Sequence, residues 1–198
     1  MADLTTLDRM IIQQKAKLIE LTNEYKIFDE TGNQVGACRE EGQTKLKKAL
    51  RLVSNLDSMM THKLSVVDAN GNKVLEFTRP RALLKSKVQV QNASGSTIGT
   101  IAQKNIIGKI RFDLNGPAGE PLGQIRAENW RAWNFSIVDN SEQEVARITK
   151  KWAGVAKEMF TTADNYMLEI NPEVQGPMRM LVLASAAGID TALKQSDK

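Results

Sequence analysis

The chain has 198 residues, 41% of them hydrophobic and 25% charged, with a formal net charge of +4. That length buries a proper core, that composition excludes a disordered chain, and the mild positive balance suits anionic partners without identifying one. With one cysteine, Cys38, no intrachain disulfide forms, and Met1 to Arg9 lack the basic-then-apolar pattern of a secretory signal. A reducing, cytoplasmic setting is the expectation.

In chain order, Met10 to Gln14 and Lys17 to Leu21 are short apolar-rich segments that periodicity leaves open between strand and helix. From Tyr25 the pattern is strand, turn, strand, with Asp29 and Gly32 supplying the turn chemistry. The unit recurs around Asn70-Gly71, around Gly95, around Gly119 and around Asp139-Asn140, and Gly71, Gly95 and Gly119 stand 24 residues apart. Alternation at Ile110, Phe112 and Leu114, and at Trp133, Phe135 and Ile137, gives these strands one buried and one polar face. A sixth pair is expected from 158–161 and 166–170, which makes about a dozen strands.

Two helices are expected. Over 44–57, Leu46, Leu50, Val53 and Leu56 recur at helical spacing opposite Lys47, Lys48 and Arg51. Gly176-Pro177 opens the second, which is apolar or small on every side from Met180 to Ile189. That run is half the length that crosses a bilayer and is closed by Arg179 and Asp190, the pattern of a buried core helix. The fold expected is therefore mainly β: a closed antiparallel barrel of about twelve strands around the C-terminal helix. A sandwich with the helix across one end is the alternative. One domain is expected over 1–198, with 1–9 and 195–198 loose.

Two stretches resemble the phospholipid scramblase and LURP-one-related family, whose fold is tubby-like. One runs from Leu64 through Asn70-Gly71 to Arg79-Pro80. The other contains Trp152, Gly154, Phe160, Asp164 and Asn165, and the similarity extends from about Met10 to Lys194. The resemblance implies a twelve-stranded barrel threaded by its C-terminal helix, and a protein acting at membranes by lipid scrambling, tethering or protein interaction. The cysteine cluster that follows the Arg-Pro pair in eukaryotic scramblases is absent from Arg81-Ala-Leu-Leu-Lys-Ser-Lys87, so acylation has no acceptor there. The family's calcium segment resembles 162–173. It implies Asp164, Asn165, Glu169 and Glu173 as oxygen ligands for calcium, with Thr162 replacing the first aspartate. A turn followed by a strand with Glu169 facing solvent reads equally well.

Enzyme chemistry has little to work with. His62 is the one histidine, so no His-Cys metal cluster forms, and no phosphate-binding glycine loop or nucleophile elbow is present. The basic residues are the better clue: Lys45, Lys47, Lys48 and Arg51, then Arg79, Arg81, Lys85 and Lys87, form two local concentrations of charge suited to anionic phospholipid. Their alternative is a solvated face. Trp130 and Trp133 flank Arg131, and Trp133 shares the face of Phe135 and Ile137. Nucleic acid has weak support, since no recognition motif accompanies the charge. The expectation is a scramblase-like protein peripheral on an anionic membrane, on the inner face of the plasma membrane, that binds anionic phospholipid, with lipid translocation left open. The alternative is a soluble barrel serving as a protein-interaction or small-ligand module.

Overall fold

The computed structural model describes residues 3–14, 24–41, 62–79, 87–105, 109–129, 134–150 and 165–193. Among them are twelve strands: β1 (Arg9–Gln14), β2 (Glu24–Phe28), β3 (Gln34–Glu41), β4 (His62–Asp68), β5 (Lys73–Arg79), β6 (Lys87–Asn92), β7 (Thr97–Gln103), β8 (Arg111–Asn115), β9 (Pro121–Asn129), β10 (Asn134–Asp139), β11 (Glu144–Thr149) and β12 (Asn165–Ile170). A helix, α1 (Gly176–Leu193), follows. Every strand pairs antiparallel with its chain neighbours, and β1 closes the barrel against β12. Closure leaves no open edge and sets the sandwich aside.

Closure also decides the N-terminal ambiguity. Met10 to Gln14 is strand because β12 and β2 supply ladders on both sides, with Ile12 opposite Tyr166 and Ile27. Both edges of β12 are taken by β11 and β1, so the expected pairing of 166–170 with 158–161 is not the one formed. Residues 158–161, 17–21 and the helix expected over 44–57 lie outside the described residues.

The repeated turn is one device used five times. In the first, the Asp29 N–H donates to the Asn33 carbonyl, and the Gly32 N–H donates to the Asp29 carbonyl. The Asp29 carboxylate accepts from the N–H groups of Thr31 and Asn33. Asp68, Asn92 and Asp139 do the same in their turns. The fourth turn begins with Gly116, which has no side chain, and the Glu120 carboxylate accepts the Ala118 N–H instead. Gly32, Gly71, Gly95 and Gly119 take a left-handed φ of 85° to 87°, and Glu142 fills that place in the fifth turn at 63°. A one-residue register shift precedes each turn, as at Val66/Val67 and Leu114/Asn115. Such bulges add twist, which helps a meander curl until its first and last strands meet.

Inward side chains from every strand, among them Tyr25, Leu64, Phe77, Val90, Leu114, Ile125, Phe135, Ile148 and Tyr166, form one core with Leu181, Val182, Leu183, Ala184 and Ala186 of α1. The helix that the sequence marks as apolar all round thus fills the barrel. It packs against strands that carry glycine: a Cβ on Gly99 would stand 3.1 Å from Leu181, and one on Gly123 would stand 3.0 Å from Met178.

Residues 3–8, expected to be loose, are docked. Leu4 is 1% exposed within the main core, and α1 brings Arg179 to the residues that follow it. The Arg179 guanidinium donates to the carbonyls of Thr5 (2.6 Å) and Leu7 (2.8 Å), and to Asp8 Oδ1 (3.0 Å). These bonds satisfy a charge that burial would otherwise penalise.

The meander gives the barrel two unlike ends. One carries the five tight turns, residues 3–8 and the entry of α1. At the other, β1 to β2, β3 to β4, β5 to β6, β7 to β8 and β11 to β12 are joined by longer connections, of seven residues or more, and β9 to β10 by the four residues 130–133.

Candidate functional site

On the outer wall, several of the described cations pair with carboxylates on the same strand, a neighbouring strand or a turn. Arg147 reaches Glu128 at 3.0 Å and Glu144 at 2.5 Å. Its hydrogen bonds to Glu144 and Glu128 raise its pKa, and the bond from Arg147 holds Glu128 below the usual carboxylate range. Lys73 bridges Glu76 (2.8 Å) and Glu41 (3.1 Å), and Lys63 approaches Glu76 at 3.2 Å. Arg126 pairs with Glu142, and Arg9 with Glu30 and Glu169. A groove of about 600 Å³ between β1, β11 and β12 is lined by several of these ion-paired residues.

Of the expected lipid-binding residues, the two that are described stand at the long-connection end. Arg79 ends β5, and Lys87 opens β6 with an exposed side chain. Lys45, Lys47, Lys48, Arg51, Arg81 and Lys85 lie outside the described residues, but the connections that carry them leave and return at that end, from Glu41 to His62 and from Arg79 to Lys87. In the sequence, Trp130 and Trp133 stand between β9 and β10 and Trp152 between β11 and β12, all three outside the described residues.

Three of the four residues implied for calcium are described. Asn165 is buried at the start of β12, Glu169 is four residues further, and Glu173 is exposed in the turn beyond. At about 3.3 Å per residue, Asn165 and Glu169 are roughly 13 Å apart along the strand. Glu169 lies 3.1 Å from Arg9. Asp164 is outside the described residues. Cys38 is buried in the core, and His62 is the first residue of β4.

A basic cleft that the sequence reading passed over lies at the same long-connection end. Lys104, Asn105, Lys109 and Arg111 line a space of about 350 Å³ between the ends of β7 and β8. The signal was present: in Lys109-Ile110-Arg111-Phe112, alternation turns the cations outward while Phe112 enters the core, 4% exposed.

No helix among the described residues is long and apolar enough to cross a membrane. The scramblase family profile matches residues 1–193. A phospholipid scramblase family protein of Schizosaccharomyces pombe is 24% identical over 185 residues, covering 84% of this chain and 47% of its own length. The Saccharomyces cerevisiae protein called altered inheritance rate of mitochondria protein 25 is 23% identical, covering 78% of this chain and 54% of its own length. Human phospholipid scramblase family member 5 is 22% identical, with 92% and 72% covered. The chain thus spans about half the length of the two yeast relatives. A crystal structure of an Arabidopsis thaliana protein superposes with a TM-score of 0.59 at 13% identity, covering 94% of this chain and 93% of that one. Profile, relatives and closed barrel agree, and the chain belongs to the scramblase family.

Proposed function

We propose that the protein is a peripheral, scramblase-like protein that docks its long-connection end on anionic phospholipid, as on a cytoplasmic leaflet, and does no covalent chemistry there. The observation that carries this reading is topological. The described strand ends that flank the two expected basic segments in the sequence, Glu41 and His62, then Arg79 and Lys87, stand at the end opposite the five tight turns. Cations near an anionic surface contribute about 1 kcal/mol each, and tryptophan suits the headgroup boundary.

Translocation by a spanning α1 is disfavoured by its packing. Withdrawing it would expose Leu181, Val182 and Leu183, each 2% exposed or less, at about 1.5–3 kcal/mol apiece.

The test is flotation of the full chain with phosphatidylcholine vesicles, with and without phosphatidylserine, at low and high salt, each with and without calcium. Binding to the anionic vesicles alone, weakened by salt and by charge reversal at Lys47, Lys48 and Arg51, is expected. No binding in any condition would overturn the reading in favour of a soluble interaction module. A leaflet-quenching assay on the same vesicles separates translocation from binding.

A further inference from the structure

We propose that Asn70, at the tip of the turn between β4 and β5, is a site of spontaneous covalent modification: attack by the Gly71 nitrogen expels its side-chain amide, and the residue becomes aspartate or isoaspartate. No membrane or ligand is involved.

The chemistry needs only these neighbouring residues and water. The Gly71 amide nitrogen forms a bond to Asn70 Cγ, the bond from Cγ to Nδ2 breaks, and Nδ2 leaves as ammonia with the proton that Gly71 gives up. The product is a cyclic imide. Water opens it at Cγ to give aspartate, or at the backbone carbonyl carbon to give isoaspartate, in which the chain runs through Cγ. Glycine suits the attacking position because it has no Cβ to crowd the ring.

The sequence offers this pair twice, as Asn70-Gly71 and as Asn115-Gly116. The structure separates them. Asn115 is the last residue of β8 and is paired with Thr100 and Pro121, so neighbours on both sides hold its backbone extended. The Gly116 N–H donates to the Glu120 carbonyl at 2.8 Å, and the Glu120 carboxylate fills the place of a side chain on Gly116. Bringing that nitrogen to Asn115 Cγ would break the end of the β8–β9 ladder.

Asn70 is held by much less. It is exposed and lies outside both strands, since β4 ends at Asp68 and β5 begins at Lys73. A Cβ on Gly71 would meet nothing within 4 Å, so the space beside the attacking residue is open. Other turn asparagines have their amides tied: Asn33 Nδ2 donates to Asp29 Oδ2 at 3.2 Å, Asn72 Nδ2 to Asp68 Oδ2 at 3.0 Å, and Asn140 Nδ2 to the Pro121 carbonyl at 2.7 Å. Among the described residues, Asn70 bonds through its backbone N–H, to Asp68 Oδ1 at 2.9 Å, and its amide is left to solvent. One restraint opposes the reaction, the bond from the Gly71 N–H to the Asp68 carbonyl at 3.0 Å. A single turn bond opens by local fluctuation without unpairing a strand. The turn therefore slows the reaction relative to an unfolded chain, whereas the ladder blocks it at Asn115.

The product disturbs the turn that made it. The Asp68 carboxylate accepts from the N–H groups of Asn70 and Asn72, and a new carboxylate at position 70 repels it. Isoaspartate also adds a backbone carbon ahead of Gly71, which displaces the N–H that closes the turn.

The test ages the folded full chain at mildly alkaline pH beside Asn70→Gln and beside unaltered chain unfolded in urea, with peptide mapping by mass. The folded chain should gain the mass of amide-to-acid conversion at the peptide holding Asn70, with isoaspartate identified by fragmentation, while Asn115 stays an amide. In urea both should convert. N70Q, whose longer side chain needs a larger ring, should show no gain at position 70 and keep its melting temperature on ageing, while that of the unaltered chain falls. Equal conversion of Asn70 and Asn115 in the folded chain would overturn the proposal, as would an intact Asn70 in the folded chain when the urea sample converts.

Discussion

Arg179 Nη2 on α1 lies 3.0 Å from Asp8 Oδ1 at the threshold of β1, which ties the last element of the chain to its first. The guanidinium side chain is 6% exposed and also serves the carbonyls of Thr5, Leu7 and Val174. One residue thus holds the N-terminal segment across the turn end of the barrel.

Replacing Arg179 by Met should cost about 1–3 kcal/mol, because part-buried backbone acceptors lose their donor. Arg179→Lys, which keeps the charge but lacks the fork, should fall between. Urea denaturation gives the stabilities, and limited proteolysis should cut residues 3–8 of R179M before the barrel. Equal stability for R179M and the unaltered protein would rule the latch out.

Gly99→Ala should destabilise by about 1–3 kcal/mol through crowding. The new Cβ would lie 2.2 Å from the Asn115 carbonyl oxygen, a backbone atom that β8 and β9 hold in place, and 3.1 Å from Leu181. A thermal melt measures this, and a second substitution, Leu181→Ala, should recover only part of the loss because the carbonyl clash persists.

Gly95→Ala tests the turn device without crowding. Nothing lies within 4 Å of its Cβ, so the cost, about 1 kcal/mol, comes from the left-handed backbone alone. Glu142 presents the reverse case, since it occupies the same conformation with a side chain and pairs with Arg126. In 1 M salt, where that exposed pair is screened, Glu142→Gly should melt above the unaltered protein. A lower melting point there would show that the pair matters more than the backbone.

Stability should fall in acid. Glu41 is held below its ordinary value of 4.5 by the Ser65 hydroxyl and Lys73, and Glu76 by Lys73 and Lys63. A carboxylate whose folded pKa is depressed contributes stability that is fully present above its unfolded pKa and is lost as pH falls through the folded one. Melting temperature should therefore hold from neutral pH to about 5 and drop below 4.5. Glu76→Gln should make that drop shallower, whereas an unchanged profile would show that the Lys63–Glu76–Lys73 cluster does not contribute.

The hairpins were legible in the sequence because their causes are local. An Asp or Asn that accepts from N–H groups two and four residues on, with glycine one place earlier than the last, specifies a turn wherever it stands. The 24-residue spacing of Gly71, Gly95 and Gly119 repeats that instruction. The buried helix was legible for the same kind of reason, since a run apolar on every side has to be covered. Other features depended on distant partners. Met10 to Gln14 became strand only when β12 and β2 flanked it, and Arg179 found its acceptors more than 170 residues away. The basic cleft needed β7 and β8 side by side before Lys104, Lys109 and Arg111 formed one surface. Sequence alone therefore determined the repeating unit and the element that fills it. Tertiary structure decided which ends meet and which cations share a face, because closure is a property of twelve strands together that no one hairpin encodes.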